Sequence, residues 1–163
     1  MSSALAEAAA RAEDLDEQAL ASLRAEIADE LEAAARSTDF RERAVAYRAV
    51  GQLRFRQKLA LLGRGLDDDS PACRGAALLS LELLSRDQPG PVNAERSRLH
   101  QLANADSNAA VRRLAVMCLR NGSPVRDTIG LLAGIADDDR QERELRAAAG
   151  RIADALRRKA RQR

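Results

Sequence analysis

The sequence predicts an all-α chain, a solenoid of about four stacked helix pairs, and three observations carry that expectation. The first is residues 69–84, DSPACRGAALLSLELL, where Ser70 is placed to cap a helix and Pro71 to occupy its first position. Cys73, Ala76, Ala77, Ser80, Leu81 and Leu84 then recur at helical spacing and make a narrow face of small residues, which lets a neighbouring helix come close. The second is that this grammar returns from Asp39, Asp106 and Asp139. The stretches align on an Arg followed three residues later by Ala: Arg43 and Ala46, Arg74 and Ala77, Arg112 and Ala115, Arg146 and Ala149, at intervals of 31, 38 and 34 residues. The third is the composition. With 163 residues, 45% apolar and 32% charged, the chain suits one domain (1–163) that buries a core, and no apolar run approaches the roughly 20 residues that span a bilayer.

The repeated pattern is an Asp-bearing turn, then Val-Arg or its equivalent, then Ala three residues on and an apolar residue four beyond. It resembles the HEAT-like repeat family, in the short bacterial form named for phycobilisome lyases. The likeness covers roughly residues 15 to 160 and is best at Val111-Arg112-Arg113-Leu114-Ala115 and in the unit that starts at Asp69. The first unit departs from it with Glu42 where the family prefers Val, and the last has a longer lead from Asp139 to Arg146. The resemblance implies a right-handed α-α superhelix with repeats at about 15–53, 54–89, 90–122 and 123–160, and a basic end at 157–163. It also implies that Arg43, Arg74, Arg112 and Arg146 pair with the turn residues Asp39, Asp69, Asp106 and Asp139 of neighbouring units, a structural ladder that leaves these arginines little free charge for a ligand.

In chain order, residues 4–13 are Ala-rich and either extend the first helix or fray. Leu20, Leu23, Ile27 and Leu31 form the stripe of a first outer helix over 16–36. Asp39 with Glu42 is a capping-box variant that starts an inner helix ending near residues 51–53. Phe55, Leu59, Leu62 and Leu66 mark the second outer helix, and the acidic run 67–69 leads into the helix of the opening stretch. Gln88-Pro-Gly-Pro91 is the strongest breaker and separates repeats. Asn93 is placed to cap a third outer helix carrying Leu99 and Leu102, Asn121-Gly122 is a stop, and Ser123-Pro124 restarts the chain as a cap and first turn. Val125, Ile129, Leu132 and Ile135 give the fourth outer helix, whose Gly130 and Gly134 are expected to allow close packing on a last inner helix from about Asp139.

Catalytic chemistry finds little support. The single histidine, His100, has no Cys or second His to complete a metal site and is expected on solvated helix surface. The runs 67–69 and 137–139 resemble metal-binding carboxylates but fall in equivalent turns where Asp caps the next helix. Cys73 and Cys118 are expected as small core residues. HEAT-like hydroxylases need paired His-Glu motifs, HEAT-like glycosylases need aromatic residues around an extruded base, and phycobilin lyases need a tetrapyrrole pocket in a longer solenoid. The chain has one His, no Trp and 2% aromatics, so no enzyme, cofactor or metal is expected.

A binding role remains. Residues 1–32 hold nine acidic and two basic side chains, residues 33–64 eight basic and two acidic, and residues 140–163 nine basic and three acidic. Such segregation favours electrostatically steered association. A protein partner in the cytoplasm is expected, with nucleic acid along 41–58 and 140–163 as the alternative and neither a membrane nor a small-molecule substrate. Relative to the aligned arginine, the fourth position holds Tyr47, Leu78, Val116 and Gly150, and the fifth holds Arg48, Leu79, Met117 and Arg151. One row is expected to face outward, with Leu79 and Met117 as an apolar centre flanked by the arginines, or both rows are core. Tyr47 with Arg48, Arg54, Arg56 and Lys58 forms a second candidate patch, because a tyrosine among arginines has the character of a binding centre.

Overall fold

Apolar residues at three- and four-residue spacing, punctuated by Asp, Pro and Gly, fold this chain into helices alone. The computed structural model describes residues 3–162, and every regular element among them is helical. The chain divides into two compact units, Met1–Leu84 and Ser85–Arg163, at a boundary just ahead of the Gln88-Pro-Gly-Pro91 breaker.

The first unit contains α1 (Ala4–Arg11), α2 (Glu17–Ala35), α3 (Phe40–Gln52), α4 (Leu59–Leu66) and α5 (Pro71–Leu84). The Ala-rich start is a true helix, because Ser3 Oγ accepts from the Ala6 N–H and Leu5, Ala8 and Ala9 are buried. α2 begins where the sequence predicts, with Asp16 accepting from the Ala19 N–H, and buries Leu20, Leu23, Ile27 and Leu31. α3 ends in a left-handed turn at Arg54, the one non-glycine residue of positive φ among those described. There the Phe55 N–H reaches the Val50 carbonyl and the Arg54 N–H the Gly51 carbonyl, a Schellman closure that carries Phe55 into the core.

The small-residue face of α5 does bring helices together. A Cβ at Gly51 would lie 2.6 Å from Ser80 Oγ and 2.7 Å from Ser80 Cα, and one at Gly65 would lie 2.8 Å from Ala77 Cβ. At this approach the buried Ser80 hydroxyl accepts from the Gly51 N–H at 3.0 Å and donates to the Tyr47 carbonyl at 2.6 Å. The contact therefore satisfies polar groups that α3 and α5 bury together.

The second unit contains α6 (Gly90–Ala94), α7 (Arg96–Ala105), α8 (Ala109–Leu119), α9 (Arg126–Asp137) and α10 (Arg143–Arg161). Its core combines Leu99, Val111, Leu119, Leu132, Ile135, Leu145, Ile152 and Leu156 with the small Ala103, Ala115, Ala149 and Ala153. Several boundaries move. Asn93 lies inside α6, not at the cap of α7; its Oδ1 accepts from the Ser123 N–H and its Nδ2 donates to Ser123 Oγ, tying α6 to the turn before α9. α9 starts at Arg126, not at Pro124, and α10 starts at Arg143, after Asp138 has accepted from the Arg140 N–H in the preceding turn. Gly130 and Gly134 face open space, where an added Cβ would meet nothing within 4 Å, so they are not there for close packing. Cys73 and Cys118 are buried thiols, in keeping with a core role.

Candidate protein-binding groove

The aligned arginines share one partner type, and it is a backbone carbonyl. Arg43, Arg74 and Arg112 each send Nη1 to the carbonyl six residues earlier, those of Ser37, Asp68 and Asp106, at 3.0, 2.9 and 2.6 Å. In the last repeat, with its longer lead, Arg146 Nε reaches the Ala136 carbonyl at 3.4 Å. Each guanidinium thus ties its own helix to the turn before it, satisfying carbonyls at a helix end.

The Asp pairing implied by the resemblance is clearest at Arg43, and there its chief partner is Asp68. Arg43 grips that carboxylate with two parallel bonds at 2.9 and 3.0 Å, and Asp69 adds a longer contact at 3.3 Å. Burial opposes the charge on Asp68, but the Arg43 guanidinium and the Ser70 N–H outweigh it and hold the carboxyl below its ordinary range. Asp39 instead accepts from the Arg41 N–H and pairs with the Arg41 side chain, while Asp139 is exposed beside the Asp138 cap.

The patch around Tyr47 does not form. Tyr47 is 2% exposed, facing Gly65 between helices, because the fourth-position row is the core row: Leu78 and Val116 are buried with it. Two of its four basic neighbours are committed to protein groups. Arg56 donates to the Leu84 carbonyl, Lys58 pairs with Glu32 at 2.6 Å and sits over the Phe55 ring, Arg48 is half-buried, and Arg54 is exposed on its strained turn. The alternation that sequence spacing suggests is in the neighbouring row, where Leu79 is 40% and Met117 49% exposed, and Arg151 is exposed as well. Leu79 stands on α5 in the first unit and Met117 on α8 in the second.

Met117 and Arg151 line one groove, between α8 and α10. Its volume is about 490 Å³, with Ala110, Leu114 and Met117 on one wall and Ala147 and Ala148 on the other. Arg113 and Glu144 close one end with an ion pair at 3.0 Å, supported by Glu142 at 3.8 Å. Arg151 lies at the rim and makes no ion pair among the described residues. The alanines leave the space that a larger residue would fill, and the flexible thioether of Met117 adapts to what enters. This arrangement has no nucleophile and base in contact; it can hold an apolar side chain and a neighbouring anion. Sequence reading finds Met117 and Arg151 but misses Ala110, Leu114, Ala147 and Ala148, since alanine is equally at home in a core.

His100 departs from expectation. It is half-buried, with Nε2 2.9 Å from the buried Thr128 Oγ1, to which Arg96 donates at 2.7 Å. Arg96 also donates to Asn93 Oδ1. Burial and then the Arg96 charge hold the imidazole below its ordinary value, against the pull of Asp127. Among the described residues no three His, Cys, Asp or Glu side chains gather as a metal site, and no helix is long and apolar enough to cross a membrane.

No family model, curated protein or solved structure matches the chain.

Proposed function

We propose that this protein is a non-catalytic adaptor, a right-handed solenoid of HEAT-like helix pairs that binds another protein in the cytoplasm. The observation that carries the reading is Met117, an apolar side chain left half exposed over an alanine-floored groove while its neighbours Val116 and Cys118 are fully buried. An exposed apolar centre with a charged rim is the anatomy of a protein interface. The partner presents an apolar residue for the groove and a carboxylate for Arg151. The nucleic-acid alternative loses half of its first basic stretch, because Arg43, Arg56 and Lys58 are held by protein groups.

The test is capture of partners from the native host with wild type and with Met117→Glu. Recovery of a protein by wild type, its loss with Met117→Glu, and superimposable melting curves support the groove. Capture should fall only modestly as salt rises. A steep decline with salt, or recovery of nucleic acid that ignores the substitution, returns the phosphate-binding reading.

A further inference from the structure

A second groove lies in the first unit, among α1, α2 and α3, and its chemistry differs from that of the α8–α10 groove. Its volume is about 730 Å³. Ala6, Ala33, Ala34 and Val45 give it an apolar floor, and Glu30 and Glu42 stand on its rim as exposed carboxylates that make no ion pair among the described residues. The rim's third carboxylate, Asp39, is paired with Arg41, the single cation among the lining residues, which leaves Glu30 and Glu42 as the charges on offer. Glu26 and Asp29 continue the negative face along α2. A small-residue floor between carboxylates suits side chains with an aliphatic stem and a cationic head. Arginine has that form, since its three methylenes cover alanine while its planar fork grips a carboxylate.

The chain itself carries such a face. On α10, Arg143, Arg151, Arg158 and Arg161 are exposed, make no ion pair among the described residues, and fall within one arc of the helix at intervals of eight, seven and three residues. Only small Ala147 and the acidic Asp154, which is paired with Arg157, interrupt them on that side. We propose that the α1–α2–α3 groove of one molecule receives the arginine face of α10 from a second copy of this chain, so that the protein associates head to tail through charge complementarity. Different surfaces meet in such a contact, so a joined pair still has one free groove and one free arginine face to offer. Arg151 is shared with the α8–α10 groove, but Arg158 and Arg161 lie outside that groove's lining, so reversing these two tests the association by itself.

Sedimentation velocity of the full chain over a concentration series tests it, at about 50 mM and about 500 mM salt, across which the screening length shrinks severalfold. The expected result is a sedimentation coefficient that rises with concentration at low salt and stays monomeric at high salt. Glu30→Lys with Glu42→Lys should abolish the rise, and so should Arg158→Glu with Arg161→Glu, with melting curves confirming that both fold. Mixing the two variants should restore association, because the first keeps its basic face and the second its acidic groove. A wild type that is monomeric throughout at low salt overturns the proposal. So does association that survives high salt and both reversals, or a mixture that remains monomeric. Loss in only one of the two variants also overturns it, by removing one of the paired surfaces. Loss of partner capture in Met117→Glu with self-association intact would separate this inference from the adaptor reading.

Discussion

The two units begin from the same repeat grammar and settle their cores differently. In the first, α3, α4 and α5 close on glycine, alanine and serine, with Gly51 against Ser80 and Gly65 against Ala77, and the Asp68 carboxylate locked in the fork of Arg43. In the second, Gly130 and Gly134 on α9 face open space, Gly122 is the glycine pressed on a neighbour, Val92, and the polar centre is the neutral Thr128 hydroxyl between Arg96 and His100. The difference teaches that a helical repeat specifies which face is inward, while residue size at a few positions specifies how near the next helix comes. Close approach makes a unit sensitive to added volume; a half-buried imidazole makes it sensitive to protons.

The largest expected effect breaks the first unit by a single methyl. Gly51→Ala puts a Cβ against Ser80 Cα, a backbone atom that cannot swing aside, so α3 and α5 must separate at a cost of about 1–3 kcal/mol. Chemical denaturation of the variant checks this, and an unchanged midpoint would mean that the helices are not in that contact.

Acid should distinguish the units next. The depressed His100 leaves the unfolded chain to take the proton first, so its contribution is complete above the ordinary 6.5 and is lost as pH falls below it. Asp68 is also depressed, but from 3.8, so its contribution persists through that range and is lost only in stronger acid. Melting midpoints followed down from neutral pH should decline first near 6.5 in wild type and stay level there in His100→Gln. Amide exchange should place that first loss in α7 and α9, with protection of α3 and α5 retained until the carboxylates titrate.

The smallest effects are stabilising and test where glycine is and is not required. Gly134→Ala fills open space on α9 and should add about 0.5–1 kcal/mol, the opposite sign to Gly51→Ala. Arg54→Gly should add a similar amount by relieving a left-handed turn that an arginine now occupies. Midpoints that fall in either variant would show that these positions have packing roles of their own.

Helix identity, the stripes of α2 and α5, the Asp16 cap, the Pro71 start and the buried cysteines are all legible in the sequence, because each rests on local spacing or on the chemistry of one terminus. The alternation between the buried Tyr47, Leu78 and Val116 row and the exposed Leu79 and Met117 row is legible as a question, since adjacent positions on a helix lie about 100° apart and only the position of neighbours says which is inside. What only the tertiary structure decided were the long-range partners: Arg43 choosing Asp68 over Asp69, Ser80 bonding α3, Asn93 reaching Ser123, and Thr128 meeting His100. Each is a polar contact set by tenths of an ångström between residues far apart in the chain. The alanine walls of the α8–α10 groove belong with them, because a methyl group lines a core and a cleft alike until the opposing helix is in place.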